Sequence, residues 1–204
     1  MGLWAIVPVK PLRKAKSRLS DVLSKDERAL LNFTLLGQTL NTLKTVPAID
    51  QVLVVSSDSS VLALAREYDA RTVQENSQAN LSLAIQRAVV VAKMYAVDSI
   101  LILSADLPLL SARDIEKMLE MVTSPPCIVI VPDRHNDGTN AIYLSPPDVI
   151  DCHIGGGSFA YNTQQAARHN IPLAVCKLTT LGLDLDLPED IELLKQIEAS
   201  NPDS

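Results

Sequence analysis

Aromatic residues make up only 3% of this chain, which has a net charge of −6. No apolar run approaches the roughly 20 residues that a membrane-spanning helix requires. A surface that binds nucleic acid combines a basic stripe with aromatic side chains on which bases stack, and neither is present. The N-terminus also lacks a cationic segment followed by a long apolar one. We therefore expect neither nucleic acid nor a membrane as a partner.

Cysteine is equally scarce, with three residues and no CxxC pair. Two of the three lie in strand-like apolar runs, as buried free thiols do, which predicts a reducing, cytoplasmic environment. The histidines lack the spacing of metal ligands, and nothing suggests a Ser-His-Asp arrangement. The residues concerned are Cys127, Cys152, Cys176, His135, His153 and His169.

Apolar runs typical of strands alternate with helical patterns along the chain. Several of these runs are apolar on both faces, which indicates a mostly parallel sheet covered by helices on both sides. With 47% hydrophobic residues, the sequence predicts one domain, residues 1–204, with a short polar tail from about residue 199. The predicted strands are residues 4–9, 51–56, 99–103, 127–131, 141–144 and 173–178.

Short punctuation signals complete the fold prediction. Asp137-Gly138 lies between two strand-like runs and indicates a hairpin, hence one antiparallel excursion in the sheet. Ser24 precedes Glu27 with the spacing of a capping box, and Ser111 is predicted to cap a helix through residue 122. Pro188 suits the first turn of the last helix. The predicted fold class is α/β, a three-layer α/β/α sandwich.

A cluster of cations follows the first predicted strand in this otherwise acidic chain. Five basic residues within nine positions favour a local polyanionic ligand, and therefore a phosphate-binding loop. The alternative is a solvated loop that happens to be basic. The five residues are Lys10, Arg13, Lys14, Lys16 and Arg18.

Three aspartates are candidate metal ligands. Asp106 directly follows the strand-like run 100–103, where ligands gather in an open α/β sheet. Asp184 and Asp186 are two residues apart, so in extended chain their carboxylates point to the same side and repel unless a cation lies between them. A shared Mg²⁺ explains all three. The alternative for Asp106 is a helix cap, although Ser111 is better placed for it.

A run of glycines offers a second anion site. Gly155, Gly156 and Gly157 lead into Ser158 and a helical stretch, and such a run presents backbone N–H groups to an anion. The alternative is a flexible turn. Thr139 and Asn140 supply further donors, although they too have an alternative as a hairpin tip. Glu189 and Asp190 are interpreted as acidic residues that favour the N-terminus of the last helix.

Five segments occur in an order that resembles a known family, the 2-phospho-L-lactate guanylyltransferases. The segments are VPVKPLRKAKSRL, SADLPLL, DGTNAIYL, GGGSF and DLDLPED, and together they span nearly the whole chain. The resemblance implies a GT-A-like fold of the nucleotide-diphospho-sugar transferase type, GTP as donor and Mg²⁺ as cofactor. It also implies a place in coenzyme F-420 biosynthesis.

The resemblance assigns roles residue by residue. It implies metal binding at the three aspartates, and it places Lys10, Lys16 and Arg18 at the triphosphate. Asn80 corresponds to a residue of the base pocket, although Gln78-Ala79 departs from the Gly-Leu expected there. Acceptor-phosphate binding is implied for Thr139, Gly155, Gly156 and Ser158.

The implied reaction transfers GMP from GTP to the phosphate of 2-phospho-L-lactate or a related three-carbon phospho-acid. Its products are lactyl-2-diphospho-5′-guanosine and pyrophosphate. Two alternatives stay open: a nucleotidyltransferase for a sugar phosphate or molybdopterin-type acceptor, and a non-catalytic GTP-binding regulator. A homodimer is expected only on the general frequency of symmetric pairs.

Overall fold

The computed structural model describes residues 2–75 and 81–200. Within these ranges the chain forms seven strands and seven α-helices, with a short 3₁₀ turn at Ser17–Leu19. The strands are β1 (Leu3–Pro8), β2 (Gln51–Ser56), β3 (Arg71–Gln74), β4 (Ser99–Leu103), β5 (Cys127–Pro132), β6 (Thr139–Ser145) and β7 (Leu173–Val175). The helices are α1 (Lys25–Thr45), α2 (Ser59–Glu67), α3 (Leu81–Met94), α4 (Ala112–Leu119), α5 (Ser158–Arg168), α6 (Thr179–Gly182) and α7 (Pro188–Ser200).

All seven strands belong to one sheet in the order β3-β2-β1-β4-β6-β5-β7. Only β6 runs against its neighbours, pairing antiparallel with both β4 and β5, while the other pairs are parallel. The predicted mostly parallel sheet with one antiparallel excursion is therefore confirmed. The predicted β5–β6 hairpin is present, with Asp137 and Gly138 in its connecting loop, although the hydrogen-bonded turn lies earlier, at residues 133–136.

Helices cover both faces of the sheet, as the apolar strands predicted. One core contains the inward side chains of α1, α2, α4 and α6, such as Leu36, Leu64 and Ile115. The other contains those of α3 and α5, such as Ile85 and Ala166. Alternate residues of each central strand contribute to opposite cores, which is why the strands read as continuously apolar.

The helix starts follow the sequence signals. Ser24 and Glu27 form a reciprocal capping box at α1, and Ser111 does the same with Asp114 at α4. Pro188 begins α7. Since Ser111 caps α4, the carboxylate of Asp106 remains available for another role.

Several boundaries differ from the prediction. Helix α4 ends at Leu119 rather than residue 122, and β7 ends at Val175 rather than residue 178. Strand β3 was not predicted, because Arg71–Gln74 is an edge strand with half-exposed or exposed side chains and no apolar run. Among the described residues, no helix is long and apolar enough to cross a membrane.

Candidate active site

A cleft opens where the carboxyl ends of β1 and β4 lie side by side. The strand order changes direction at β1, the position where open α/β sheets bind ligands. Because β6 is antiparallel, it begins at this same edge, and the loop after β5 lies here too. The lining includes Lys10, Lys16, Arg18, Asn32, Ser104, Asp106, Asp133, Asp137, Gly138, Thr139, Asn140, Gly155, Gly156, Asp184 and Asp186.

Lys16 is the most buried cation of the basic loop. Its side chain is only 2% exposed, and its ammonium group donates to the Leu185 carbonyl at 2.6 Å and to Asp106 Oδ2 at 3.2 Å. Its backbone has the left-handed conformation, with φ of 56°. Non-glycine residues adopt this conformation rarely, and in this chain Asp69, Ala96, Asn136 and Asn170 share it. Lys16 therefore ties the loop after β1 to the segment after β4 and to the Asp184–Asp186 segment.

Two side chains of helix α1 hold the backbone of the basic loop in place. Arg28 Nη1 donates to the Lys16 carbonyl at 3.2 Å, and Asn32 Nδ2 donates to the Leu12 carbonyl at 3.1 Å. Both acceptors are loop backbone groups, so the loop has a defined path rather than that of a freely solvated turn. The exposed Lys10 and Arg18 also line the cleft, and they keep their long side chains free to rearrange around an anion.

The three predicted aspartates lie in the same cleft with unequal partners. Asp106 accepts from Lys16, and Asp186 Oδ2 accepts from Arg18 Nη1 at 2.8 Å. Asp184 has no such cation beside it: burial, followed by the negative charge of Asp106, raises the pKa of its carboxyl to about 6. The cleft thus contains an incompletely neutralised cluster of carboxylates.

This cluster suits a divalent cation in donor type. Mg²⁺ prefers carboxylate oxygens, and an added positive charge would relieve the repulsion that raises the pKa of Asp184. As the side chains stand, no group of three or more His, Cys, Asp or Glu residues in 2–75 and 81–200 is arranged to hold a metal. Instead, Lys16 is hydrogen-bonded to Asp106 and Arg18 to Asp186. The side chain of Arg18 is 67% exposed, so it can move away without disturbing the core.

The loop from 133 to 138 forms the floor between the aspartates and the glycine run. The carboxylate of Asp133 accepts from the backbone N–H groups of His135, Asp137 and Gly138. A Cβ atom at Gly138 would lie 2.8 Å from Asp133 Oδ2, so the Asp133 carboxylate would have to shift away from it. Glycine at this position therefore lets Asp133 close the loop with its three hydrogen bonds intact.

Gly138→Ala is expected to open this loop and to misplace Thr139, the next residue. A displacement of about 1 Å in a positioning group can reduce turnover by up to about 100-fold, so we expect at least a tenfold lower kcat/KM for the acceptor. Steady-state kinetics with the acceptor varied would measure this. Gly2→Ala is the control, since its added Cβ would meet only Asp50 at an ordinary 3.6 Å. Unchanged kinetics in a folded Gly138→Ala protein would contradict the role of this loop in positioning Thr139.

Two residues of the glycine run have left-handed backbone conformations. Gly155 has φ of 101° and Gly157 has φ of 73°, both in the region that favours glycine. The buried Asn162 of α5 fastens this segment to β6, because its amide donates to the His153 carbonyl at 2.8 Å and to Thr139 Oγ1 at 3.2 Å. The segment is thereby held against the cleft.

Ser158 begins α5 behind the glycine run. Its hydroxyl is buried and has no hydrogen-bond partner among residues 2–75 and 81–200. A buried hydroxyl without a partner is unfavourable by about 1–3 kcal/mol, so a polar ligand atom reaching it would be stabilised. This fits an oxygen-rich group held at the glycine run.

The cysteines carry no comparable chemistry. All three are buried and free, as predicted. Burial, with the nearby Asp151, raises the pKa of the Cys152 thiol to about 12, so almost no thiolate exists near neutral pH.

His153 stacks flat on Tyr161, with 3.9 Å between the ring centroids.

The family model for proteins described as Guanylyl transferase CofC like matches residues 3–197. The chain belongs to this family. It is 38% identical over 200 residues to a phosphoenolpyruvate guanylyltransferase from Rubrobacter xylanophilus, covering 98% of this chain and 95% of that protein. It is 30% identical to a 2-phospho-L-lactate guanylyltransferase from Methanocaldococcus jannaschii, with coverages of 91% and 79%. The predicted family resemblance is confirmed, and the protein is a nucleotidyltransferase.

The fold comparison agrees with this family. A solved structure assigned to the nucleotide-diphospho-sugar transferases, from Desulfovibrio desulfuricans G20, superimposes with a TM-score of 0.78 at 17% sequence identity. The alignment covers 100% of this chain and 92% of that one. The predicted GT-A-like fold type is therefore confirmed.

Most of the residues predicted for a guanylyltransferase site lie along one cleft. Two of the predicted residues that the structure describes do not line it. Arg13 is directed at Asp26, 3.4 Å away, and Ser158 lies buried behind the lining. Asn80, with Gln78 and Ala79, lies outside the described residues. The amide of Asn140 donates to the Leu181 carbonyl at 2.9 Å, so one of its donors is used within the protein.

Sequence reasoning missed the residues that support the site from behind. Arg28, Asn32, Asp133 and Asn162 each bind backbone or side-chain groups of a cleft segment. Their partners are up to 23 residues away along the chain, as in the Asn162–Thr139 contact. The sequence contains only an indirect signal for them. Asp133 and Asn162 lie next to the hairpin segment and the glycine run, which were identified on other grounds.

Proposed function

We propose that this enzyme transfers GMP from GTP to the phosphate of a three-carbon phospho-acid, as a step in coenzyme F-420 biosynthesis. Phosphoenolpyruvate is the first acceptor to test, because the relative with 38% identity is a phosphoenolpyruvate guanylyltransferase. The second is 2-phospho-L-lactate, after the 2-phospho-L-lactate guanylyltransferase with 30% identity. Both acceptors carry a phosphate and a carboxylate on three carbons. Supporting observations come from the arrangement of charge in the cleft.

The observation that carries the proposal is the presence of opposite charges side by side in one small cleft. Lys10, Lys16 and Arg18 line it together with Asp106, Asp184 and Asp186, and Lys16 and Arg18 contact Asp106 and Asp186. A nucleoside triphosphate with a divalent cation has both of the charges that such a lining would bind. The glycine run adds backbone donors at the end of the cleft, where a second phosphate fits.

The reaction requires no side-chain base, because the acceptor phosphate is already ionised near neutral pH. One of its oxygens attacks the α-phosphorus of GTP, a new P–O bond forms, and the bond from that phosphorus to the β-phosphate oxygen breaks. Pyrophosphate leaves with the electron pair. Catalysis then consists of positioning and charge stabilisation.

The acidic, basic and acceptor-binding residues of the cleft have separate roles. Asp106, Asp184 and Asp186 would hold Mg²⁺, which supplies charge neutralisation at the reacting phosphates. Lys10 and Arg18 stabilise the charge that develops on the departing pyrophosphate. Lys16 fixes the loop that carries them. Thr139, the glycine run and Ser158 orient the acceptor phosphate for in-line attack.

Pyrophosphate release tests the proposal directly. Purified protein with Mg²⁺ and GTP is expected to release pyrophosphate with phosphoenolpyruvate or 2-phospho-L-lactate, and not with ATP or CTP as donor. Mass spectrometry of the product would identify the guanosine diphosphate adduct. Removal of Mg²⁺ with EDTA is expected to stop release, and added Mg²⁺ to restore it.

Other results would select other functions. Release with a sugar phosphate, and with neither three-carbon acid, would make the protein a nucleotidyltransferase for a different acceptor. GTP binding without release from any acceptor in the panel would indicate a regulator. Release with 3-phosphoglycerate would keep the reaction class and change the acceptor.

A further inference from the structure

We propose that Arg134 and Asp190 form a positioning pair that sets the aspartates of the cleft relative to the acceptor loop. Neither residue is among those that line the cleft, and their part in the reaction would be exerted through the residues they hold. The inference rests on the proposed metal-assisted transfer, because it concerns the residues assigned to the metal and to the acceptor.

Both carboxylate oxygens of Asp190 have two polar contacts each. Asp190 Oδ1 accepts from Arg134 Nε at 2.8 Å and lies 2.7 Å from Arg134 Nη2. Asp190 Oδ2 accepts from the backbone N–H groups of Asp186 at 3.0 Å and Leu187 at 2.6 Å. Four polar contacts thus meet on one carboxylate whose side chain is 3% exposed. Charge-assisted bonds of this kind fix geometry as well as add energy.

These contacts join two segments of the cleft that are far apart in sequence. Asp190 holds Asp186 through its backbone, and Asp184 lies two residues earlier on the same segment. Arg134 belongs to the 133–138 loop, which leads into Thr139. Its backbone N–H also donates to the Gly182 carbonyl at 2.8 Å, so the two segments are fastened at a second point.

The same loop reaches the glycine run on its other side. The Phe159 N–H donates to the Asp137 carbonyl at 3.1 Å, and a Cβ atom at Gly156 would lie 3.3 Å from Asp137 Oδ2. Movement of the 133–138 loop would therefore shift both the aspartate segment and the acceptor cradle. Arg134 is the charged group that ties this loop to the aspartates.

A helix cap alone does not account for the arrangement. Asp190 would satisfy the N–H groups of Asp186 and Leu187, just before α7, without any arginine, as the third residue of a capping box does. Only the Asp190 carboxylate is buried, since the side chain of Arg134 is 29% exposed, and an ion pair of this kind is weak evidence of added stability. What the guanidinium adds is a fixed direction for the carboxylate that orients Asp186.

The test measures metal binding before any turnover. We would titrate Mn²⁺ into the intact protein without nucleotide, follow free Mn²⁺ by electron paramagnetic resonance, and compare wild type with Asp190→Asn, Arg134→Met and Arg134→Lys. Groups that orient metal ligands typically change affinity about 10–100-fold when mutated, so Asp190→Asn and Arg134→Met are expected to weaken Mn²⁺ binding within that range. Arg134→Lys keeps the charge and is expected to recover part of the loss.

Steady-state kinetics supply the second readout. The variants are expected to raise the KM for the acceptor and the half-saturating concentration of Mg²⁺. Arg71→Gln is the matched control: Arg71 donates to the Tyr95 hydroxyl at 2.9 Å and lies 4.5 Å from the Tyr95 ring centroid, at the start of β3 and away from the cleft. It is expected to leave Mn²⁺ affinity unchanged, even if its melting temperature falls.

The outcomes separate this inference from the proposed function. Folded Asp190→Asn and Arg134→Met proteins with wild-type Mn²⁺ affinity and acceptor KM would overturn the inference, whatever their melting temperature. If Asp190→Asn does not fold, Arg134→Lys against Arg134→Met decides it by the same comparison. Weakened Mn²⁺ binding in a protein that uses no three-carbon phospho-acid would uphold the pair and overturn the acceptor. A wild-type protein that binds no Mn²⁺ without nucleotide would overturn the inference and leave pyrophosphate release to decide the proposed function.

Discussion

Asp106→Asn is expected to reduce turnover by about 10³-fold or more while the protein remains folded. Asp106 contacts Lys16, contributes its charge to the environment of Asp184, and lies at the end of β4 where the cleft is deepest in the sheet. Asparagine keeps the size of the side chain and removes its negative charge. Loss of one preorganised charge-stabilising group typically costs about 10²–10³-fold, and Asp106 is assigned both a metal and a positioning partner.

Two measurements accompany this variant. Mn²⁺ affinity is expected to fall together with pyrophosphate release, and the melting temperature to change little, since the side chain of Asp106 is one-third exposed at 33%. Asp50→Asn is the matched control, because Asp50 accepts the Leu3 N–H at 2.8 Å at the start of β1, away from the cleft. A folded Asp106→Asn enzyme with substantial turnover would remove Asp106 from the metal assignment.

The pKa of Asp184 gives this variant a further signature. The charge of Asp106 is one of the causes that raise the pKa of Asp184 to about 6, after burial itself. Removal of that charge in Asp106→Asn lowers the pKa of Asp184 towards its ordinary value. Carbon-detected NMR of the labelled carboxyl group would show the direction of this shift.

The strands that the sequence located best are those buried on both faces. The bounds of β2 and β4 agree with the prediction at every residue, because continuous apolar runs bounded by polar residues leave little choice. Edge strand β3 has no such run, since RTVQ has only one aliphatic side chain. Its existence depends on pairing with β2, a tertiary interaction that local pattern does not encode.

The same distinction separates the parts of the site. Asp106 and the basic loop could be found because each follows an apolar strand directly, and strand ends define the ligand edge of such a sheet. Arg134 and Asp190 are 56 residues apart, and nothing local announces that one binds the other. Asp190 was interpreted only as an acidic residue favoured by the dipole of α7. It does stand in the first turn, but its carboxylate also binds Arg134.

Lys16→Met is the second variant with a large expected effect. Methionine retains the apolar stem and adopts the left-handed backbone of this position no more easily than lysine, so backbone strain is unchanged. The ammonium group that bridges Asp106 and the Leu185 carbonyl is lost. Among the described residues, the basic loop then keeps only the exposed contact from Arg18 to Asp186 as a side-chain tie to the aspartates, and we expect at least about a 100-fold lower kcat.

The stability change should be far smaller than the change in activity. The Leu185 carbonyl loses a buried partner, which costs about 1–3 kcal/mol, while Asp106 is partly solvated and the penalty of burying an ammonium group disappears. For a chain of this size about 1 kcal/mol corresponds to about 2–4 °C in melting temperature. Calorimetry should therefore show a modest decrease.

Lys14→Met separates a specific contact from general positive charge. Lys14 lies in the same loop, is exposed, and does not line the cleft. If the loop acted only through its net charge, Lys14→Met and Lys16→Met would weaken GTP binding equally, and added salt would reduce both effects. We expect Lys14→Met to retain nearly full turnover and Lys16→Met to lose it at every salt concentration. Because Lys16 is buried against its partners, its effect should not be screened as that of an exposed charge is.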